Sequence, residues 1–256
     1  MKITFVGLSC FLLESSKGDR LLLEPYYGDA KYGLGLKFPE EIQADVFLVS
    51  HPDEDHSYMR HSMIRQRQDA NKQDAQTDTD LFPEFDLRGT IVREYNGDAC
   101  IAYSFTIDGI RFLHLADNAH ILSERQIKEI GSIDIVFLPM PKGDHNVVAD
   151  IISQLNPKVV IPSHYIPVLK NIQEPTHDQI AGEIRELFTA EWMKDANNNE
   201  FTQNVFVNLF ENARALHDSG FNYEEINSVS SEFSKELLPH STHVQVFRDC
   251  LGMQVT

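Results

Sequence analysis

The sequence has no long apolar run and little cysteine. None of its hydrophobic stretches reaches the ~20 residues that a membrane-spanning helix needs, so we expect no membrane span. The three cysteines, Cys10, Cys100 and Cys250, are few, odd in number and far apart. This usage predicts a reducing compartment, the cytoplasm, and no disulfide framework. The opening residues, MKITFVGLSCFLLESS, alternate as strands do and lack a small-residue cleavage site, which predicts a hairpin rather than a secretory signal.

Positive charge is also scarce. The chain has 22 Lys and Arg against 39 Asp and Glu, which gives a formal net charge of −17. Such a field repels a phosphate backbone or an anionic lipid surface, so we expect neither nucleic acid nor a membrane as a partner. The one basic stretch, RHSMIRQRQ at 60–68, is better interpreted as a solvated helix face. The expected partner is therefore a small-molecule substrate.

The order of apolar segments predicts a mixed α/β fold. Hydrophobic residues make up 42% of the chain, which is enough for a real core. Seven short strands are predicted first, in KITFVGL, CFLLE, RLLLE, VFLVS, TIVREY, CIAYSFTID and IRFLHLA. Asn96-Gly97 and Asp108-Gly109 lie where hairpin turns belong. The helices SERQIKEIG and NVVADIISQLN then alternate with the strands IDIVFLPM and KVVIPSHY, which predicts sheets covered by helices.

The C-terminal part has a different pattern. Helical spacing recurs in three segments, 177–194, 200–218 and 222–238. We therefore predict a main domain over 1–185 and a helical extension over 186–256 that packs on it, with a lid or a homo-oligomer contact as alternatives. The polar stretch 66–80 predicts an exposed, mobile loop.

Metal-ligand side chains follow several apolar strands. The stretch SHPDEDHSY, which comes directly after VFLVS, crowds imidazoles and carboxylates that would repel one another unless a cation lay between them. Strand ends are rigid, so groups placed there converge at little entropic cost. Imidazole with carboxylate suits Zn²⁺, Fe or Mn²⁺. The candidates at strand ends are Glu24, His51, Asp53, Asp55, His56, His114, Asp117 and His164.

Several spaced motifs resemble the metallo-β-lactamase superfamily, within the branch of L-ascorbate-6-phosphate lactonases and related metal-dependent hydrolases. The superfamily signature H-x-H-x-D-H stands here as HPDEDH, from His51 to His56. The branch motifs GHSCFLIE, HLGDLGH and KVVIPMHY stand here as GLSCFLLE, HLADNAH and KVVIPSHY. The resemblance covers roughly residues 1–170. It implies a four-layer αββα sandwich with the metal site along one edge of the sheets.

The same comparison exposes departures from the family pattern. The second His of the signature is Asp53, and a further ligand His is expected between the signature and HLAD. Residues 57–113 contain only His61, which lies too close to the signature to be that ligand. Glu94 and Asp98 are the carboxylates in the expected region, and either could substitute.

The resemblance therefore implies one intact metal pocket and one depleted pocket. The intact pocket would comprise Asp55, His56, Asp117 and His164. The depleted pocket retains His51 and Asp53. We expect one tightly bound divalent metal, Zn²⁺ first with Mn²⁺ or Fe as alternatives, and a second that binds weakly or not at all.

The remaining candidates receive other roles. We expect Glu24 to orient a ligand His rather than to bind metal, and His114 to be a half-buried His with its hydrogen bonds satisfied. His120 and His145 lie on loops after strand ends, where each could carry protons, replace a ligand or simply be exposed.

The function expected from this pattern is metal-dependent hydrolysis. A bound metal lowers the pKa of water and supplies hydroxide near neutral pH. Asp117 would hold or bridge the metal, while His145 or an exposed carboxylate would handle protons. The resemblance implies a small ester, lactone or phosphorylated metabolite as substrate. Two alternatives stay open: a metal-poor, non-catalytic ligand-binding relative, and a di-iron redox protein, since Asp53 stands where the flavodiiron branch has Glu.

Overall fold

The computed structural model describes residues 1–28, 36–65, 85–140, 145–165, 167 and 220–254. Its strands are β1 (Lys2–Gly7), β2 (Cys10–Glu14), β3 (Arg20–Leu23), β4 (Val46–Leu48), β5 (Arg88–Arg93), β6 (Ala99–Ile107), β7 (Ile110–His114), β8 (Ile135–Pro139), β9 (Val159–Ser163), β10 (Asn222–Ile226), β11 (Ser230–Glu232) and β12 (His243–Phe247). Its helices are α1 (Glu124–Ile130), α2 (His145–Leu155) and α3 (Leu251–Gln254), with 3-10 turns at His61–Met63 and Lys235–Leu237.

The strands form two sheets. One has the order β11-β1-β2-β3-β4, and the other has the order β10-β12-β9-β8-β7-β6-β5. In the second sheet β7, β8 and β9 are parallel, and α1 and α2 connect them in sequence. All five residues of β8 and of β9 are buried, as expected where both faces of a parallel sheet are covered.

Aromatic side chains join the two sheets across the core. The rings of Phe11 and Phe137 have centroids 4.6 Å apart, and those of Phe5 and Phe247 are 5.9 Å apart. These four side chains are fully buried and come from strands of both sheets. Burial of each large apolar side chain contributes about 1.5–3 kcal/mol, so this contact layer is a main source of the sandwich's stability.

Local sequence signals account for several element ends. Ser123 caps α1, where its hydroxyl accepts from the backbone N–H of Gln126, and Gly131 follows the helix with φ 74°. Asp108 (φ 49°) and Gly109 (φ 73°) form the tight turn between β6 and β7. A turn with both central residues at positive φ matches the twist of the strands it joins, which explains the Asp-Gly pair there.

The predicted α/β fold with two packed sheets is confirmed, and so are the predicted strands and two helices up to residue 165. The N-terminal hairpin is confirmed as the antiparallel pair β1 and β2. The helix face expected at 60–68 is, within the described residues, only the 3-10 turn His61–Met63. No helix of the described residues combines the length and the apolarity needed to cross a bilayer.

The helix predicted over 222–238 is wrong. This segment contains β10 and β11, which pair with β12 and β1 respectively, followed by the turn Lys235–Leu237. The spacing of Tyr223 and Ile226 suits a helix, but their backbone bonds complete the sheets instead. Within the described part of the C-terminal region, β10, β11 and β12 thus belong to the two sheets. The helices predicted at 177–194 and 200–218, the 66–80 loop and the boundary at 185 lie outside the described residues.

Asp134 ties the C-terminal segment to the second sheet. Its carboxylate accepts a hydrogen bond from the backbone N–H of Arg111 (2.9 Å) and ion pairs with Lys158 (3.2 Å) and Lys235. Burial alone would raise the pKa of Asp134, but hydrogen bonds from Lys235, Arg111 and Lys158 outweigh it and lower the pKa below its usual value.

Replacing Asp134 by Asn should destabilise the fold at neutral pH. The variant keeps the shape but loses charge-assisted hydrogen bonds, so we expect a loss of about 1.5–3 kcal/mol in the free energy of unfolding at pH 7. A carboxylate whose pKa is lowered by folding stabilises the folded state at pH values above its unfolded pKa of about 3.9. That stabilisation is lost as the pH falls through the folded pKa. The difference from wild type in urea denaturation should therefore shrink at pH 3. The exposed Asp150 provides the control, Asp150→Asn; equal losses in both variants would contradict the assigned role.

Candidate metal centre

Strand ends from both sheets meet at one edge of the sandwich. Glu24 follows β3, and the segment 50–58 follows the parallel strand β4. Asp117 follows β7 and His164 follows β9 in the other sheet. Backbone hydrogen bonds join the sheets at this edge, from Ile101 N–H to the Ser50 carbonyl (3.1 Å) and from His164 N–H to the Leu8 carbonyl (2.9 Å). Carboxyl ends of neighbouring parallel strands are the usual location of sites in such sheets.

The first cluster, called pocket A, consists of Asp55, His56, Asp117 and His164. The Nε2 atom of His56 lies 3.4 Å from Asp55 Oδ2 and 3.3 Å from Asp117 Oδ1. The Nε2 atom of His164 lies 3.4 Å from Asp55 Oδ2 and 3.3 Å from Asp117 Oδ2. The two imidazole rings are nearly parallel, with centroids 5.6 Å apart. Two imidazoles and two carboxylates from three separate chain segments thus face one another.

Two atoms of pocket A are buried without a hydrogen bond. His56 Nε2 and Asp117 Oδ1 have no hydrogen-bond partner among the described residues. A buried polar atom left unsatisfied costs about 1–3 kcal/mol, so such atoms require an explanation. Imidazole nitrogen and carboxylate oxygen are ligands of Zn²⁺ and of other divalent transition metals. The donor set of pocket A therefore fits a divalent cation.

The carboxylates and imidazoles of pocket A stabilise each other's charged forms. Burial would raise the pKa of Asp55 and of Asp117, but His164 and His56 outweigh it and hold both pKa values well below the usual range. Burial would lower the pKa of His56 and of His164, but Asp117 and Asp55 raise both instead. Protons and a cation therefore compete for these two imidazoles.

Glu24 hydrogen bonds to His56, one of the four residues of pocket A. Its fully buried carboxylate accepts from the Ser50 hydroxyl (2.7 Å) and from the Ser50 backbone N–H (2.9 Å), and it hydrogen bonds to Nδ1 of His56. Although burial raises its pKa, the interactions with His114 and His56 lower the pKa of Glu24 to about 2. An ionised carboxylate on Nδ1 directs the lone pair of His56 Nε2 toward pocket A. This arrangement is the orienting one expected for Glu24.

Ser50 extends this network to His51. Its hydroxyl donates to Glu24 and lies 2.7 Å from Nδ1 of His51, so Nδ1 must be the donor in that second contact. The Nε2 atom of His51 then carries a lone pair. Burial and the charge of His56 lower the pKa of His51, which favours this neutral form. Ser50 is not among the candidates that the sequence indicates; its one signal there is a hydroxyl between an apolar strand and the first His.

The second cluster, called pocket B, consists of His51, Asp53 and Glu94. The Nε2 atom of His51 lies 3.8 Å from Asp53 Oδ2 and 3.9 Å from Glu94 Oε1, and one donor atom from each residue lies within 4.8 Å of the others. Burial, followed by repulsion from Asp117 and Asp53, raises the pKa of Glu94. Of the two carboxylates left open by the sequence, Glu94 reaches the pocket. Asp98 lies in an exposed turn, where it hydrogen bonds to Asn96 (3.0 Å).

The other candidate histidines lie outside both pockets or outside the described side chains. His114 is fully buried, and neither of its ring nitrogens has a hydrogen-bond partner among the described residues, so the expectation of a half-buried, satisfied His is wrong. Its Nε2 lies 3.5 Å from Glu24 Oε1. His120 is exposed and contacts the backbone carbonyl of Glu94 (3.0 Å). His145 begins α2, but its side chain lies outside the described part of the structure.

A family model and several metal-dependent hydrolases are similar in sequence to this chain. The family model described as "Beta-lactamase superfamily domain" matches residues 2–164. A UPF0173 metal-dependent hydrolase from Korarchaeum cryptofilum is 28% identical over 206 residues, covering 70% of this chain and 90% of that protein. One from Thermococcus kodakarensis is 26% identical over 197 residues, covering 64% of this chain and 84% of that protein.

A solved structure supports the same fold. The crystal structure of a proposed Zn-dependent hydrolase of the metallo-β-lactamase superfamily from Thermotoga maritima aligns with a TM-score of 0.55 at 22% identity, over 96% of this chain and 98% of that one. The family model spans more than half of the chain and includes every residue of pockets A and B. The chain belongs to the metallo-β-lactamase superfamily.

Proposed function

We propose that this protein is a metal-dependent hydrolase whose cation is held in pocket A. The observation that carries the proposal is the pair of buried atoms without a hydrogen bond, His56 Nε2 and Asp117 Oδ1, at the point where Asp55 and His164 also converge. The names of the UPF0173 relatives, metal-dependent hydrolases, support the same reaction class. Zn²⁺ is the proposed metal because imidazole nitrogen and carboxylate oxygen are its usual ligands, and its shell can expand from four to five ligands to admit a water molecule.

A divalent cation at this position would polarise the scissile group and lower the pKa of a water molecule. The chain's own residues supply the rest. Asp117 presents one oxygen to each imidazole of pocket A, and Glu24 fixes the ring of His56 through Nδ1. The low pKa of Asp117 makes it a weak proton acceptor near neutral pH. We therefore assign proton transfer to His145, because α2 follows β8 and the end of β8 pairs with Ser163, next to pocket A.

The proposed substrate is a small ester, lactone or phosphorylated metabolite. The support is the resemblance of GLSCFLLE and KVVIPSHY to the lactonase-like branch. We further propose a cytoplasmic location, since Cys10, Cys100 and Cys250 are buried and form no disulfide. A panel of nitrophenyl esters, lactones and phosphate esters, assayed with zinc-loaded protein before and after chelation, tests the reaction class.

The carboxylates of pocket B favour one second candidate, a di-iron redox protein. Asp53 and Glu94 give this pocket two oxygen ligands for one imidazole, and oxygen ligands suit iron better than a set of three imidazoles would. Visible absorbance of iron-loaded protein, together with oxygen consumption, separates this candidate from a zinc hydrolase.

His164→Ala should abolish tight zinc binding and hydrolysis together. The variant removes one of the two imidazoles of pocket A. Mutation of a residue that only hydrogen bonds to a metal ligand costs about 10–100-fold in metal affinity, so loss of the ligand itself should cost at least as much. Zinc per chain after equilibrium dialysis measures the effect, and His61→Ala, at an exposed position, is the control. Zinc content and hydrolysis at wild-type levels in His164→Ala would refute pocket A.

Glu24→Gln should weaken zinc binding although Glu24 touches no cation in the proposed site. The amide keeps the size of the side chain but removes the charge that orients His56, so we expect a loss of about 10–100-fold in zinc affinity. Competition with a chromophoric chelator measures it. Glu129→Gln on α1 is the matched control, and identical affinities for both variants would show that Glu24 has no orienting role.

Zinc affinity should fall as the pH is lowered from 8. The raised pKa values of His56 and His164 mean that protons compete with the metal already above the ordinary imidazole range near 6.5. Protonation favours the metal-free form, so the sign is fixed: affinity decreases with decreasing pH. The same chelator competition at pH 8, 7 and 6 provides the measurement, and an unchanged affinity across that range would mean that imidazole does not bind the metal.

A further inference from the structure

His114 is a buried imidazole that the proposed reaction does not use. It is the last residue of β7 and is fully buried, yet neither of its ring nitrogens has a hydrogen-bond partner among the described residues. Its neighbours in the sheet provide none, since Tyr103 donates its hydroxyl to the Val49 carbonyl (2.8 Å) and Phe137 faces His114 with an apolar ring. Buried polar atoms are normally paired, so a partner for His114 has to be sought in the other sheet.

The residue of the other sheet that His114 approaches is Glu24, just after β3. Nε2 of His114 lies 3.5 Å from Glu24 Oε1, and both side chains are fully buried. Oε1 also accepts from the Ser50 backbone N–H (2.9 Å), and Oε2 accepts from the Ser50 hydroxyl (2.7 Å). A carboxylate that accepts at both oxygens repels a bare imidazole nitrogen and attracts a protonated one. A movement of about 0.3–0.5 Å would bring the two atoms to an ordinary N–H···O distance.

The end of β7 acts on both nitrogens of the His56 ring. Asp117, which follows His114 closely in the chain, places Oδ1 3.3 Å from Nε2 of His56. Glu24, which His114 contacts, hydrogen bonds to Nδ1 of the same ring. Ser50 follows β4 in the first sheet, whereas His114 belongs to the second. The Glu24 carboxylate is therefore held from both sheets, with Oε2 directed at His56.

We propose that His114 is a positioning residue: its Nε2–H donates to Oε1 of Glu24 and thereby holds the carboxylate against Nδ1 of His56. The inference rests on the proposed function, because His56 is one of the proposed metal ligands. Without this donor, Oε1 keeps only the Ser50 N–H, and the carboxylate can rotate away from His56. The Nε2 lone pair of His56 is then less firmly directed into pocket A, so a cation binds there more weakly.

The first test uses metal-free, wild-type protein with ¹⁵N-labelled histidine. The ¹⁵N chemical shifts of an imidazole show which of its nitrogens carries a proton, and the backbone resonances of His114 assign its ring. We expect a proton on Nε2 of His114. An Nε2 without a proton could not donate to Glu24 and would overturn the proposal, whatever the stability of any variant.

The second test compares two substitutions of His114 that differ in the donor. Gln places an amide N–H₂ roughly where Nε2 lies, whereas Phe fills a similar volume without a donor. We expect His114→Phe to bind Zn²⁺ ~10-fold more weakly than the wild type in chelator competition, and His114→Gln to restore most of that affinity. In metal-free protein, the downfield proton signal of His56 Nδ1–H should persist in His114→Gln and be lost in His114→Phe.

His243→Phe is the matched control. His243 begins β12 in the same sheet and pairs with Val159, at the opposite end of β9 from His164, so its replacement should leave both readouts unchanged. Thermal unfolding followed by circular dichroism establishes that each variant is folded. Equal zinc affinities in His114→Gln and His114→Phe would mean that His114 acts only through packing, which would refute the proposal.

Failure of this inference and failure of the proposed function give different results. If the proposed function is wrong, no member of the substrate panel is hydrolysed, while zinc affinity and the His56 proton signal still separate His114→Gln from His114→Phe. If His114 does not position Glu24, zinc binding and hydrolysis continue, and these two variants behave alike.

Discussion

The hydrogen bonds of the Glu24 carboxylate determine how the candidate site is arranged. One oxygen of this fully buried group meets both the Ser50 hydroxyl and Nδ1 of His56, and the hydroxyl in turn meets Nδ1 of His51. A single buried charge thereby fixes the ring nitrogens that face two adjacent pockets. Glu24 takes a left-handed backbone conformation, φ 44°, which costs a non-glycine residue of order 1–3 kcal/mol. The fold holds this strain at the point where it orients the imidazoles.

Left-handed residues recur at this edge of the sandwich. Ala116 (φ 51°), just before Asp117, lies two residues after β7, and His164 (φ 60°) lies directly after β9. An abrupt change of direction after a strand places the side chain over the end of the sheet rather than on its face. The aromatic layer between the sheets, including Phe11 and Phe137, keeps those strand ends at fixed positions. Packing in the core thus supplies the rigidity that a site of converging side chains requires.

Much of the fold, and part of the site, could be predicted from local sequence. Apolar runs and the cap at Ser123 define elements through contacts within a few residues, and HPDEDH is contiguous. Glu94 could not be assigned, because its approach to His51 depends on how the β5–β6 hairpin meets the loop after β4. The strand β10 was missed for a related reason: its pairing partner, β12, lies far along the chain, and its own spacing suits a helix.

The two pockets differ in how deeply they are buried as well as in their ligands. His56 is fully buried, while the side chain of Asp53 is 57% exposed. A buried cation must be held mainly by protein ligands, whereas a cation at the rim can keep water and exchange it for substrate oxygens. Asp53 and Glu94 give the outer pocket two carboxylates for one imidazole, a donor set that suits a harder ion than the two imidazoles of pocket A do.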